Sequence, residues 1–262
     1  MTDALRIITS RDNPFVKHLR SLGHSAKARR EAGETVLDGP HLVDAALSAG
    51  AHLSAVVVAE GARARGEIQG LLDRWAGPTT VLPDGLFAWV SPVETPSGIL
   101  AIASLPSGSP PGGGDRVVLD RIQDAGNVGT ILRTAAAAGV QTAVLTAGCA
   151  QAWSPKGLRA GMGAHFRLDI HELAEGEDVL VGFSGTVLAT GMAADARGLY
   201  GWDLRGPVAW LLGSEGHGLA PELGARADGR VVIPMAAGIE SLNVAAAAAV
   251  CLFEQVRQRQ QG

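Results

Sequence analysis

Short apolar runs, separated by segments typical of helices, constrain the fold of this chain more than any other feature. Five of them follow one another in its second half, at 117–119, 142–145, 187–190, 208–212 and 231–233. Strands that are apolar along their whole length must be covered on both faces, as in a parallel sheet flanked by helices. Ligands of such sheets bind where the strands end. The loops after these strands begin at Leu119, Leu145, Thr190, Leu212 and Ile233.

The first half shows the same alternation on a smaller scale. It predicts helices at 10–30, 41–48 and 66–75 and strands at 35–37, 55–59, 80–82 and 98–103. The second half adds helices at 127–138, at 155–160 and from 221 onward, and a strand at 164–170. Between the halves lies a glycine- and proline-rich stretch, typical of a linker. We therefore predict one domain at 1–105, a linker at 106–115 and a second domain at 116–262.

Composition narrows the class of protein. Hydrophobic residues make up 47% of the chain and aromatic residues only 4%, which predicts an aliphatic core. No apolar run approaches the roughly 20 residues that span a bilayer, and the first residues lack the apolar stretch of a signal peptide. We therefore expect a cytoplasmic protein without a membrane partner. Cys149 and Cys251 have no metal-ligand spacing, so no metal site is expected.

The charge distribution is uneven. A net charge of -4 argues mildly against a nucleic-acid partner, yet residues 1–31 hold seven basic and three acidic residues. A clustered basic segment is what contacts to phosphates require. The candidate RNA contacts are Arg11, Lys17, Arg20, Lys27, Arg29 and Arg30. The alternative is a solvated helical face.

The stretch 231–250 combines a short strand, a proline stop at Pro234 and a loop of small residues before an alanine-rich helix. Ser241 and Asn243 are good helix starters, because their side-chain oxygens accept hydrogen bonds from the first turn. The run 245–249 has little side-chain bulk, so other backbone can approach it closely. Such a loop could cradle a small molecule, although an ordinary strand-loop-helix is the alternative.

Two further loops carry candidate functional residues. The strand at 208–212 runs into a glycine-rich loop in which Glu215 offers a carboxylate, with helix capping or a dimer contact as the alternative role. Asn127 opens a helix on which Arg133 follows six residues later. We expect Arg133 to face the apolar side of that helix, where it needs an anion as partner. A structural ion pair is the alternative.

Taken together, three patterns resemble the motifs of the SpoU (TrmH-type) RNA ribose 2'-O-methyltransferases. They are Asn127-x-Gly129-x-x-x-Arg133, then Gly213-x-Glu215-x-x-Gly218, then Ile233-Pro234-Met235 with Ser241-Leu242-Asn243. The resemblance extends over residues 113–262. Residues 1–105 resemble the family's N-terminal substrate-binding domain of the ribosomal-protein-L30e type.

The resemblance implies an α/β fold with two parts. The C-terminal SPOUT domain would have a mostly parallel sheet and a deep trefoil knot, and the smaller N-terminal domain would be L30e-like. The implied cofactor is S-adenosylmethionine, held by Thr190, Gly191, Leu212, Gly213, Gly218, Ile233, Met235 and Leu242. The implied catalytic residues are Arg133, Asn127, Glu215, Ser241 and Asn243.

The resemblance also implies a homodimer that acts on structured RNA. DNA is excluded by the chemistry, because only RNA carries the 2'-hydroxyl. We favour 23S ribosomal RNA as substrate, with transfer RNA as the alternative. A second alternative is a non-catalytic RNA-binding protein of ribosome assembly with the same fold. A nucleotide-dependent oxidoreductase is disfavoured, because no G-x-G-x-x-G pattern follows a strand.

Overall fold

The structure is a computed structural model that describes residues 5–106, 111–193, 195–214, 216–238 and 241–261. The chain divides into two compact units. The first contains Met1–Ser107 and Trp153–Phe166, and the second contains Gly108–Ala152 and Arg167–Gly262. Among the helices of the described ranges, none is long and apolar enough to cross a membrane.

The first unit is built on a five-stranded mixed sheet. Its elements up to Ser104 are β1 (Arg6–Ile7), α1 (Pro14–His24), α2 (Ala26–Ala32), β2 (Glu34–Asp38), α3 (Pro40–Ser48), β3 (Leu53–Ala59), α4 (Gly66–Arg74), β4 (Thr79–Leu82), α5 (Asp84–Val90) and β5 (Ile99–Ser104). The strand order is β1-β4-β3-β5-β2, with β5 antiparallel to both of its neighbours. The structure adds β1 and α5 to the elements that the sequence predicts.

The single helix predicted at 10–30 is wrong, because the chain breaks at Ser25. Ser25 adopts an extended conformation, and its hydroxyl accepts a hydrogen bond from the backbone N–H of Ala28 at 3.2 Å. A serine that bonds to the backbone in this way favours a helix start over a helix interior. The result is two helices, α1 and α2, that meet at this cap.

The second unit is built on a seven-stranded sheet. The elements from Arg116 onward are β6 (Arg116–Asp120), α6 (Ala125–Ala137), β7 (Thr142–Leu145), α7 (Pro155–Gly161), β8 (Asp169–Glu172), β9 (Thr186–Thr190), β10 (Arg197–Gly198), β11 (Val208–Gly213), α8 (Pro221–Gly224), β12 (Gly229–Val232) and α9 (Val244–Gln260). Of these, α7 belongs to the first unit. The strand order is β10-β12-β9-β11-β6-β7-β8, and all pairs are parallel. The predicted parallel sheet is therefore confirmed, while the trefoil knot stays a prediction.

The strand predicted at 164–170 is wrong in its first part. Ala164–Phe166 forms a short 3-10 helix in the first unit, and the strand begins only at Asp169, where it pairs with β7. The apolar residues of this stretch are thus shared between two units, which a pattern of apolar residues cannot reveal.

A buried carboxylate connects the start of β6 to α9. Asp115 accepts hydrogen bonds from the backbone N–H of Val208 at 3.0 Å and from Nε2 of Gln255 at 2.9 Å, and it pairs with Arg259. Gln255 in turn accepts a hydrogen bond from Nε1 of the fully buried Trp210 at 2.7 Å. Helix α9 also packs against α6.

Candidate active site

A cavity of about 240 Å³ opens where β9, β11 and β12 end. Its lining residues are Thr190, Gly191, Met192, Gly213, Ser214, Gly218, Val231, Val232, Ile233, Met235, Ser241, Leu242, Val244 and Ala247. Seven of the eight predicted cofactor residues are among them. The exception is Leu212, whose side chain is fully buried in β11. The position of the cavity agrees with the rule that ligands bind beyond the carboxyl ends of parallel strands.

The glycines of the loop after β11 let its backbone form the cavity wall. Ser214 and Gly218 form an isolated antiparallel bridge, and Gly218 has a positive φ of 63°. A Cβ atom placed on Gly213 would lie 2.3 Å from the carbonyl carbon of Gly218, which real side chains do not tolerate. The loop therefore folds back on itself so tightly that only glycine fits at position 213.

The first turns of α6 and α9 are joined beside this cavity. Asn243 caps α9, since its Oδ1 accepts hydrogen bonds from the N–H groups of Ala245 and Ala246 at 3.0 and 3.3 Å. Its Nδ2 donates to Oδ1 of Asn127 at 3.1 Å. The structure thus brings together two predicted catalytic residues from motifs 116 positions apart.

The other predicted catalytic residues have different surroundings. Ser241 lines the cavity and is exposed. Glu215 lies outside the described residues. Arg133 is exposed, and within the described part of the chain its side chain makes no hydrogen bond or ion pair. The expectation that Arg133 faces the apolar side of its helix is therefore wrong, because Ile131, Leu132 and Ala135 occupy that side.

A second cavity, of about 500 Å³, adjoins the first. It is lined by Arg121, Ile122, Gln123, Asp124, Asn127, Ser214, Gly216, His217 and Val244. Ser214 and Val244 line both cavities. The sequence left His217 without a role, and its neighbours in the glycine-rich loop could have indicated this position.

Sequence reasoning missed several lining residues. Ser214 is one of them, although it stands directly beside Gly213. Ala247 follows Val244 by three positions on α9, which is the spacing of one helix face. Arg121 gave no signal, because the strand that precedes it is apolar and the residue itself matches no motif.

The predicted basic segment of the first unit is only partly exposed. The guanidinium groups of Arg11 and Arg20 lie 5.2 and 4.2 Å from the ring centre of Trp89. Lys17 pairs with an aspartate at 2.9 Å and Lys27 with a glutamate at 3.6 Å, while Arg30 is exposed.

Arg29 differs from the rest of that segment. It is buried, and its Nη1 donates to the carbonyl oxygen of Leu22 at 2.7 Å. This guanidinium therefore satisfies the backbone of α1 and is not part of an exposed surface.

Comparison with known proteins identifies the family. Residues 115–253, more than half of the chain, match the model of the SpoU rRNA Methylase family. The chain belongs to this family. Residues 13–101 match the MRM3-like substrate binding domain. The resemblance drawn from the three motifs is thereby confirmed, and so is the methyltransferase class.

Several relatives of this SpoU family member cover nearly its whole length. A Synechocystis protein named as an uncharacterized tRNA/rRNA methyltransferase is 34% identical over 99% of this chain and 96% of its own. The 23S rRNA (guanosine(2553)-2'-O)-methyltransferase RlmP of Bacillus subtilis is 30% identical over 95% and 98%. The crystal structure of an AdoMet-bound rRNA methyltransferase from Sinorhizobium meliloti is 28% identical, covers 97% of this chain and 98% of its own, and has a TM-score of 0.83. The predicted α/β fold with a mostly parallel sheet is confirmed by this similarity, and the knot stays a prediction.

Proposed function

We propose that this SpoU family member transfers a methyl group from S-adenosylmethionine to a ribose 2'-hydroxyl of ribosomal RNA. The observation that carries the proposal is the cavity beyond β9, β11 and β12, beside which Asn127 and Asn243 are hydrogen-bonded. The name of the Bacillus subtilis relative and the bound AdoMet of the Sinorhizobium meliloti structure support the substrate and the cofactor.

The residues of the cavity suit this cofactor. Val231, Ile233, Met235 and Leu242 provide apolar surface for an adenine ring. The tight glycine loop after β11 presents backbone N–H and C=O groups, which recognise polar atoms of a nucleoside. When bound, S-adenosylmethionine supplies an electrophilic methyl group. The chain's own task is then to hold the acceptor hydroxyl in line with it.

Arg133 is proposed to align that hydroxyl. An arginine is a poor base, because its pKa lies above about 12. Alignment alone can lower the activation barrier substantially, because the hydroxyl and the methyl group are already held in the reactive geometry and need not find it by diffusion. Asn127 and Asn243 hold the start of α6, the helix that carries Arg133. We assign Ser241 to the cavity edge and Glu215 to support of the arginine.

RNA binding is proposed for the first domain, residues 1–105, joined through the linker 106–115 to a methyltransferase domain at 116–262. The match to a substrate binding domain over residues 13–101 supports this assignment. Arg11, Arg20 and Arg30 are the proposed contacts, with Trp89 as an aromatic neighbour that stacks on two of them.

A homodimer is proposed through the second domain, whose C-terminal part we also propose to be knotted. Support comes from α9, on which Phe253 is 50% exposed, and from the exposed Arg133 on the adjoining α6, which makes no ion pair with the residues that the structure describes. A bacterial ribosomal substrate would place the enzyme in the cytoplasm. Sedimentation equilibrium measures the oligomeric state directly, and a monomer at micromolar concentration would contradict the dimer.

The decisive experiment is methyl transfer from labelled S-adenosylmethionine to purified ribosomal and transfer RNA. We expect label in ribosomal RNA that maps to a ribose 2'-oxygen. Label in transfer RNA alone would overturn the substrate. Absence of label, together with no cofactor binding by calorimetry, would favour a non-catalytic RNA-binding protein.

A further inference from the structure

Arg121 holds a backbone conformation that is unusual for its side chain. Its φ is +53°, and it is one of two non-glycine residues at positive φ in the described ranges. Left-handed backbone brings the Cβ atom close to the following carbonyl oxygen, so such positions favour glycine. A strained residue of this kind is retained where the surroundings fix it, and such residues cluster at functional sites.

The loop after β7 fixes Arg121 in place. The backbone N–H of Arg121 donates to Oγ1 of Thr146 at 3.1 Å. A Cβ atom placed on Gly148 would lie 3.4 Å from Cγ of Arg121, so the backbone of this loop runs close to the arginine side chain. Thr146 and Gly148 thus fix the backbone and the inner carbons of Arg121.

The ion pair with Asp120 uses only one of the nitrogens of the Arg121 guanidinium. Nη2 of Arg121 lies 3.3 Å from Oδ2 of Asp120, a long ion pair. Asp120 already accepts hydrogen bonds from the hydroxyl of Thr146 at 2.9 Å and from the N–H of Ala220 at 2.7 Å. Nε of Arg121 is buried and has no hydrogen-bond partner among the described residues. The side chain is 42% exposed, so Nη1 and the remaining hydrogen of Nη2 stay available to an anion.

These donors face the second cavity, which adjoins the proposed cofactor cavity. Gln123, Asn127, Ser214 and His217 line it together with Arg121, so most of its polar side chains can donate hydrogen bonds. The acidic lining residue of the described part, Asp124, uses its carboxylate to cap α6. A group that carries negative charge and several acceptor oxygens suits this lining.

We propose that Arg121 binds a phosphodiester group of the substrate RNA next to the ribose that is methylated. This inference rests on the proposed function, because it takes the neighbouring cavity as the source of the methyl group. Arg121 is then a positioning residue: it sets where the RNA strand lies, and the reacting atoms are held by other groups. A bidentate contact between arginine and phosphate is the geometry that the free donors permit.

Three variants test the proposal. Arg121→Gln removes the charge, and Arg121→Gly removes both the charge and the backbone strain. Arg226→Gln is the matched control, because Arg226 is also ion-paired and is 44% exposed against 42% for Arg121. The measurements are KM for ribosomal RNA, KM for S-adenosylmethionine, kcat, and RNA affinity as a function of salt.

We expect both Arg121 variants to raise KM for RNA about tenfold, with KM for the cofactor unchanged. The slope of log affinity against log salt is negative, and its magnitude should decrease by about 0.7 to 0.9, the contribution of one phosphate. Arg121→Gly should unfold at the same temperature as the unchanged protein or a higher one. Arg226→Gln should leave KM and the slope unchanged.

Two results would overturn the proposal. The first is an unchanged RNA KM and salt slope in both Arg121 variants. The second is a lower unfolding temperature in both without a change in RNA affinity, since that would make Arg121 a structural partner of Asp120. Failure of the proposed function gives a different result. If the salt dependence of RNA binding differs between the unchanged protein and its Arg121 variants, but the unchanged protein transfers no methyl group, methylation is refuted and the phosphate contact is supported.

Discussion

At the scale of single residues, we expect replacement of Arg133 to affect catalysis without affecting stability. Its side chain is exposed and makes no contact that the described structure depends on, so Arg133→Ala should leave the unfolding temperature unchanged. We expect kcat for methyl transfer to fall at least about 100-fold, because the acceptor hydroxyl loses its alignment. Cofactor affinity, measured by calorimetry, should stay the same. An active Arg133→Ala enzyme would contradict the proposed role.

Replacement of Gly213 tests whether the loop after β11 forms a wall of the cofactor cavity. An alanine Cβ at this position would collide with the backbone of Gly218, so the loop after β11 must open. We expect Gly213→Ala to weaken S-adenosylmethionine binding at least about tenfold, as overpacking of a tight site does. The matched control is Gly206→Ala, since an added Cβ there meets nothing within 4 Å. Equal affinities in the two variants would show that the loop does not shape the cofactor site.

At the scale of elements, residue patterns predict strands and loops that are marked by apolar runs and glycines. They miss features that depend on a single side-chain contact. The apolar strands and the loops after β9, β11 and β12 follow from the sequence, because apolar runs and glycines mark them. The break at Ser25 involves a single capping hydrogen bond, and the buried Arg29 donates to a backbone carbonyl of the neighbouring helix. Neither leaves a periodic signal. The environment of Arg133 was mistaken because one residue's position around a helix cannot be read reliably from its neighbours.

The alanine-rich helix α9 should tolerate larger side chains only on its exposed side. Ala248 is fully buried, whereas Ala246, two positions earlier, is exposed. We expect Ala248→Leu to lower the free energy of unfolding by about 1 to 3 kcal/mol, because the core against which α9 packs has no room. Ala246→Leu should change it by less than about 0.5 kcal/mol. Urea denaturation of both variants measures the difference, and equal losses would refute this orientation of α9.

The ion pair between Glu254 and Arg257 on α9 makes the unfolding free energy of the protein depend on pH. Arg257 lies 2.7 Å from Glu254, and these hydrogen bonds, with a weaker one from Gln258, lower the pKa of Glu254 from 4.5 to about 2. A lowered pKa in the folded state stabilises the protein above pH 4.5, and the contribution is lost as the pH falls towards 2. The difference in unfolding free energy between the unchanged protein and Glu254→Gln should shrink over this window. A difference independent of pH would contradict it.

At the scale of the whole molecule, the two units are not consecutive along the chain. Trp153–Phe166 interrupts the second unit in sequence but belongs to the first. Within the first unit α7 packs on β2, and the hydroxyl of the fully buried Thr35 donates to the carbonyl oxygen of Trp153 at 2.7 Å. A cut within the glycine- and proline-rich stretch 106–115 therefore removes part of the first unit.

This arrangement predicts the behaviour of fragments. A fragment of residues 1–107 loses the hydrogen bond from Thr35 to Trp153, a net loss of about 0.5 to 1.5 kcal/mol in addition to the lost packing. The same fragment with residues 153–166 appended through a flexible linker should unfold at a temperature at least about 5 °C higher. Circular dichroism of both fragments measures this. Coincident transitions would show that the segment does not stabilise the first unit.

The central strand pairing of the second unit has a consequence for the order of folding. Asp115 at the start of β6 bonds to Val208 at the start of β11, 93 residues later. Parallel pairing over such a separation forms slowly, because a long loop must close before any contact compensates for the lost entropy. The loops that line the cavity follow β9, β11 and β12, so they reach their positions only after this closure. On dilution from denaturant, helical circular dichroism should therefore recover before the ability to bind S-adenosylmethionine does.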